Sequence, residues 1–301
     1  MNNQPSNDDL NVFRQVALRS SFAAAATDLG VSVAYVSKRI RTLEQVLNTQ
    51  LLHRTTRRVS LTEPGEKVLR CAERILDDLE QLQEAVAQTR QRPGGTLRVS
   101  SSFGFGRCHV APALASLAEA YPELSVRFEV FDRLVDVPGE GIDLDIRVGD
   151  DIAPHLIARK LADNHRILCA APEYLAQQGE PRQLSELNRH ECLVIKERDH
   201  PFGLWRLVSA KGEQQIRVQG RLSSNHGEVA LQWALQGKGI LLRSRWDVAP
   251  LIRSGQLRQV LCEFSQPASI WAVYPQRLAQ SARVRAAVEH LQQWFIRHPP
   301  G

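Results

Sequence analysis

What this chain lacks narrows its chemistry first. It has no apolar run of about eighteen residues, so no membrane-spanning helix is expected. The first 20 residues are polar, without the basic-then-apolar pattern of a secretory leader, which points to the cytoplasm. The 5 cysteines (Cys71, Cys108, Cys169, Cys192 and Cys262) are odd in number and widely scattered. That excludes a disulfide framework and reads as reduced thiols at small buried positions. Catalytic signatures are missing as well. There is no Walker loop, no Gly-x-Ser-x-Gly elbow and no His-Glu-x-x-His helix. The 9 histidines show no ligand spacing, and His190-Glu191-Cys192, being adjacent, cannot converge from one side of a strand. Neither an enzyme nor a metal or cofactor site is expected.

What is present is a concentration of positive charge. Between residues 38 and 58 stand Lys38, Arg39, Arg41, Arg54, Arg57 and Arg58 against Glu44 alone, and this excess equals the whole chain's net charge of +5. Charge focused in this way suits a polyanion with regularly spaced phosphates. The local pattern agrees. Ser21 can cap a helix through Phe22 and four alanines, and Gly30 suits its left-handed end. Ser32 can cap the next helix, in which Val36, Ile40, Leu43 and Leu47 form one apolar stripe. At 100° per residue Ala34, Lys38 and Arg41 project oppositely, flanked by Tyr35, Ser37 and Thr42. A basic hairpin, Leu52 to Thr62, follows as a wing. A helix pair and a wing are built to set one helix in a DNA major groove. The candidate contacts to double-stranded promoter DNA are Ser32, Ala34, Tyr35, Ser37, Lys38, Arg41, Thr56, Arg57 and Arg58.

Thr62-Glu63-Pro64-Gly65 opens a long helix that Pro93-Gly94-Gly95 ends. Val68, Ala72, Ile75, Leu79, Leu82 and Val86 alternate steps of four and three, a heptad seam. This reads as an arm that pairs two copies of the chain. Beyond it, strands are expected at Thr96–Ser101, Ser125–Phe131, Ile142–Arg147, Arg166–Ala171, Cys192–Ile195, Gly239–Leu242 and Ser269–Tyr274. Helices are expected from Pro112, from Pro172, over Gly227–Gln236 and over Ala282–Ile296. The alternation implies two α/β lobes with mainly parallel sheets and a cleft between them. The domains expected are 1–63, a winged helix-turn-helix; 64–92, a linker and dimerisation helix; and 93–301, an effector-binding domain of two α/β lobes.

Residues at strand ends are candidates for holding an anion. Ser101 and Ser102 close the first strand before a helix start. Arg147, Lys196 and Arg243 end or follow later strands, where α/β sheets place ligands. With Phe103 and Asn225 they make the candidate effector set, although Phe103, like Phe105 and Phe202, also fits a core position.

The whole chain resembles the LysR-type transcriptional regulators. The resemblance rests on Ser21-Phe22 and the alanines through Val31-Ser32, on Ser37 to Glu44, and on Arg57-Arg58-Val59-Ser60-Leu61-Thr62-Glu63-Pro64-Gly65. Val33-Ala34 stand where that family often has Gln-Pro, and Lys38 where Arg is usual, departures that bear on the base contacts. The C-terminal part is similar to the tartrate- and D-malate-responsive members. It shares Ser101 to Arg107, Phe131-Asp132-Arg133, Ile142 to Arg147, Leu168 to Leu175, Lys196 to Asp199, Leu222 to Asn225 and Trp233 to Ile240. The resemblance implies an α + α/β chain with a periplasmic-binding-protein-like effector domain, a small carboxylate effector such as tartrate or malate, and a dimer that assembles into a tetramer. RNA polymerase is a further candidate partner. The alternatives are a regulator of a different small-molecule pathway and, from another class, a solute-binding protein without a regulatory role.

Overall fold

The structure is a computed structural model and describes residues 4–54, 59–86, 93–196, 202–279 and 281–299. The chain forms two compact units, residues 1–91 and 92–301.

The first unit opens with α1 (Asn7–Arg19), α2 (Phe22–Leu29) and α3 (Val33–Val46). Capping sets the boundaries. Ser6 and Asp9 make a reciprocal capping box on α1. Ser21 accepts the Ala24 N–H at 3.3 Å, and Gly30 ends α2 at φ +65°. The stripe of α3 faces inward, with Val36, Ile40 and Leu43 fully buried against Phe13, Val16, Ala25 and Ala26. The wing pairs β1 (Leu52–Arg54) with β2 (Val59–Leu61), antiparallel, Leu52 opposite Leu61. Then comes α4 (Glu63–Val86). Thr62 caps it by accepting the Gly65 N–H at 3.0 Å while donating to the Gln50 carbonyl at 2.7 Å. A side chain at Gly65 would overlap the Leu51 carbonyl, so this close approach requires glycine. The start of α4 is not a free-standing linker. Val68, Leu69, Ala72 and Leu76 join the core of the winged unit.

The second unit has two lobes, and the chain crosses between them twice. Lobe I receives β3 (Gly95–Ser101), the helix α5 (Phe103–Phe105), which runs through a π-helical turn (Gly106–Val110) into α6 (Ala111–Ala120), and then β4 (Leu124–Val130), β5 (Leu144–Val148) and β6 (Leu156–Ala162). Lobe II holds β7 (His165–Ala170), α7 (Pro172–Gln178), β8 (Cys192–Ile195), the hairpin β9 (Leu204–Ser209) and β10 (Gly212–Arg217), and β11 (Ser223–Ser224). It continues with α8 (Gly227–Leu235), β12 (Ile240–Ser244), α9 (Arg245–Arg253), β13 (Arg258–Gln259) and β14 (Gln266–Pro267). The chain returns to lobe I with β15 (Ile270–Pro275) and α10 (Ala282–Arg297).

The lobe I sheet runs β4-β3-β5-β15-β6, and that of lobe II runs β11-β8-β12-β7-β13 with β14 also on β7. Neither is mainly parallel, which corrects the sequence expectation. In each lobe the strand next to a crossing, β15 or β7, pairs antiparallel to its neighbours. A chain that leaves and re-enters a lobe brings these strands in against the direction of the βαβ units. The crossings are also bonded to each other. Asn164 and Ala268 exchange two hydrogen bonds: the Asn164 side-chain amide donates to the Ala268 carbonyl at 2.8 Å, and the Ala268 N–H to the Asn164 carbonyl at 3.1 Å.

Period-two alternation divides the lobe II core. Leu168, Ala170, Cys192, Val194, Ile240 and Leu242 pack on one face, and Ile167, Cys169, Leu193 and Leu241 on the other with α8 and α9. Lobe I packs Leu97, Val99, Leu144, Ile146, Ile270 and Ala272 against α6 and α10. All five cysteines are free. Cys169 and Cys192 are buried, whereas Cys71, Cys108 and Cys262 are exposed, against the expectation that each is buried. Burial pushes the Cys169 and Cys192 thiols up to about 12, so both stay protonated and inert.

Candidate functional site

Two surfaces carry chemistry. The first is the outer face of α3. Ser32 accepts the Tyr35 N–H at 3.1 Å and fixes the helix start. Ala34, Tyr35, Lys38 and Arg41 are exposed and Ser37 is half-buried, a largely polar, cationic face flanked by the exposed Val33 and the amphipathic tyrosine. Thr42 is half-buried, its hydroxyl donating to the Lys38 carbonyl on the same helix at 3.0 Å. Arg39 does not share this face. Its guanidinium lies 2.9 Å from Asp9, donates to Ser6 at 2.7 Å and sits over the Tyr35 ring, tying α3 to the cap of α1. Glu44, at the far end of α3, accepts the N–H groups of Leu51 and Leu52 at 3.0 and 3.3 Å and so orients the wing. Thr56, Arg57 and Arg58 lie outside the described residues.

The second surface is a cleft between lobes I and II with a volume of about 80 Å³. Lobe I contributes Ser102, Phe131, Asp132 and Arg133, and lobe II contributes Arg166, Lys196, Asn225 and Arg243. The volume is far below the roughly 300–1,000 Å³ of drug-sized pockets, so the occupant is small. Four cations line the cleft against the two carboxylates Asp132 and Asp247. Arg133 spends its charge on Glu140, gripping it through both terminal nitrogens. Arg166 donates to Gln266 at 2.9 Å. The Lys196 ammonium is exposed and has no hydrogen-bond or ion-pair partner among the described residues.

Arg243 is built in. It lies 2.9 Å from Asp247 and 3.3 Å from Glu228, and a methyl at Gly227 or Gly104 would overlap its guanidinium. The two glycines, one from each lobe, make room for it. From the π-helical turn of lobe I, Arg107 reaches Glu228 at 2.9 Å and His109 approaches Asp247 at 3.7 Å. A π turn re-aims side chains within a continuing helix, and here it directs two of them across the cleft. The hydrogen bond from Arg107 leads the causes that raise its own pKa. Burial raises the Asp247 carboxyl above the usual carboxylate range, opposed by Arg243 and His109. Burial lowers the His109 pKa, opposed by Asp247.

Of the residues named from sequence, Ser102, Lys196, Asn225 and Arg243 meet in this cleft. Three do not. Ser101 is buried and donates to the Ile146 carbonyl at 2.8 Å, stitching β3 to β5. Arg147 is buried too, paired with Asp145 at 2.8 Å on the sheet face that also carries Ser100. Phe103 stands at the rim, 39% exposed, its ring 5.0 Å from His226. Phe202 is also exposed, whereas Phe105 is buried and touches both cleft and core, so only Phe105 fits the core reading. Sequence reasoning missed Asp132, Arg166 and Asp247 as cleft residues. The phrase Phe131-Asp132-Arg133 was a usable signal, and Arg166 begins a strand in the way Arg243 nearly ends one. Asp247 gave none, since its helix contains Pro250.

Comparison with known proteins matches both units of the chain. Residues 7–66 fit the model of the bacterial regulatory helix-turn-helix protein, lysR family, and residues 90–296 fit the LysR substrate binding domain. The chain is 60% identical over 300 residues to the HTH-type transcriptional regulator DmlR of Escherichia coli strain K12, covering 100% of this chain and 98% of that protein. It is 49% identical over 294 residues to the HTH-type transcriptional activator TtdR of the same strain, covering 98% and 95%. Among solved structures, CrgA, a LysR-type transcriptional regulator from Neisseria meningitidis, is similar at 30% identity and a TM-score of 0.60, over 96% of this chain and 99% of that one. The full-length virulence activator AphB of Vibrio cholerae is similar at 27% identity and a TM-score of 0.58, over 95% and 98%.

Proposed function

Because this chain belongs to the LysR family of helix-turn-helix transcriptional regulators, we propose that α3 and the wing read promoter DNA and that the interlobe cleft takes a small hydroxy-dicarboxylate that controls the reading. It is a DNA-binding regulator and not an enzyme, and the family assembles into oligomers. No helix among the described residues is long and apolar enough to cross a membrane. We place its action in the cytoplasm with the DNA, as a dimer joined through α4 that pairs into a tetramer, with RNA polymerase as a further partner.

The observation that carries the effector reading is the small cationic cleft itself. Ser102 at a helix start faces Lys196, Asn225 and Arg243 from the other lobe, an arrangement that suits an anion with a charge at each end. A ligand held by both lobes stabilises one lobe angle over others, which is what control of a DNA surface on the other unit requires.

The test has two arms. In calorimetric titration of the full chain, tartrate or D-malate should bind with Lys196 intact and about ten- to a hundred-fold more weakly in Lys196→Ala, the loss expected for one charge-assisted bond. Absence of binding heat with both tartrate and D-malate in the wild type ends the hydroxy-dicarboxylate reading. In DNA-binding titrations, Arg41→Ala should weaken operator affinity and reduce the slope of log affinity against log salt by about one. An unchanged slope removes Arg41 from the phosphate contacts.

A further inference from the structure

We propose that Asp132 reads a hydroxyl group on the effector, so that the cleft separates hydroxy-dicarboxylates from plain dicarboxylates; this rests on the dicarboxylate reading of the cleft. The two carboxylates that line the cleft are placed differently. Asp247 lies under Arg243 at 2.9 Å. Asp132 has no arginine or lysine in ion-pair contact among the described residues. Its Oδ1 accepts the Phe103 N–H at 3.0 Å, which fixes the side chain at the start of α5. Its Oδ2 is buried and has no hydrogen-bond partner among the described residues. The nearest group, His226 Nε2, is 3.0 Å away but off the line that a hydrogen bond needs.

A carboxylate in an anion-binding cleft opposes the ligand unless the ligand brings a donor. A buried acceptor without a donor is costly, and an aligned donor relieves the cost. A hydroxyl on the carbon next to a carboxylate is such a donor. Ser102 precedes Phe103, whose N–H Asp132 holds, and the Ser102 side chain makes no cap bond. A ligand carboxylate resting on Ser102 therefore brings its neighbouring hydroxyl beside Asp132, while Lys196 on the other lobe takes the second carboxylate. A site built around such an acceptor discriminates against the analogue that lacks the hydroxyl, because the acceptor is then left desolvated and unpaired.

The experiment compares D-malate with succinate, four-carbon dicarboxylates that differ by one hydroxyl, in calorimetric titrations of the full chain. The wild type should prefer D-malate on the order of ten- to a hundred-fold. Asp132→Ala should lose affinity for D-malate and hold or gain affinity for succinate, bringing the two within about threefold. Asp132→Asn keeps the volume and an acceptor for the Phe103 N–H and should fold; its amide can donate to the ligand hydroxyl oxygen only through a neutral bond, so the preference should shrink from that of the wild type without vanishing. A merely structural role would weaken both acids equally, and that result, or a variant that keeps the wild-type preference in full, overturns the proposal. Wild type that binds both acids alike overturns it while leaving the dicarboxylate reading intact. Wild type that binds neither acid nor tartrate removes that reading and this proposal together.

Discussion

Arg283, at the second position of α10, is completely buried, and none of its three guanidinium nitrogens has a hydrogen-bond partner among the described residues. A buried cation in this state opposes folding, and replacing it with a side chain of similar bulk but no charge removes the desolvation cost. Arg283→Leu should therefore stabilise the chain by about 1–4 kcal/mol, read as a rise of several degrees in melting temperature; a fall would show that the guanidinium has a compensating anion. Single residues were also where sequence reasoning was least secure. Arg147 and Arg243 look equivalent in sequence, each the next-to-last residue of a strand that carries apolar residues. The structure separates them by face: Arg147 shares its sheet face with Asp145, two residues away, whereas Arg243 emerges between Gly104 and Gly227 in the cleft. Alternation assigns two faces to a strand but does not say which one meets a ligand. Ser102, by contrast, was legible because a serine between a strand and a helix start has one common place to be.

At the scale of elements, the winged unit was legible from Ser21 onward, because caps and period-3.6 stripes are local signals. Ser21, Gly30, Ser32 and Thr62 all stand at helix boundaries as their chemistry suggests. Most of the elements that were missed depend on distant partners, among them the edge strand β6, the hairpin of β9 and β10, and α9, which carries Pro250 in its interior; α1 was missed although its capping box is a local signal. The seam of α4 shows both sides of this. Val68 and Ala72 serve the core of their own unit, while Ile75 is 41% exposed and Leu79 half-buried. One stripe thus changes use along a single helix, from packing its own unit to offering an apolar edge. Leu79→Asp should place a charge on that offered part alone. Light scattering should report a smaller species, with operator binding lost and the thermal unfolding of the winged unit retained. Retention of both oligomer size and operator affinity would show that the seam is not the contact between copies.

At the scale of the whole molecule, burial lowers the pKa of His109, His165, His190 and His290. In each case the unfolded chain binds a proton more readily than the folded one, so the stability is present above the ordinary histidine value of about 6.5 and is lost as pH falls through the folded values. Asp247 acts with the opposite sign, since its raised pKa favours the folded state as pH falls. With four histidines against one carboxylate, the melting temperature of the effector unit should drop between about pH 7.5 and about pH 5.5; a flat or rising profile would show that Asp247 dominates. The lobe architecture was legible as two α/β layers because strands and helices alternate, but the route between them was not, since antiparallel entry strands look like any other apolar run. That route has a mechanical consequence. β14 pairs with β7, β15 pairs with β6, and Asn164 and Ala268 bond across the gap, so both crossings form one continuous ribbon between the lobes. A ribbon joined rung to rung resists shear between its strands and resists independent twisting of either one. What remains is flexure about one line. The lobes then behave as a pair of covers on a common spine, and any molecule small enough to lie between the pages is reported outward as an angle, in one variable, however its own contacts are distributed.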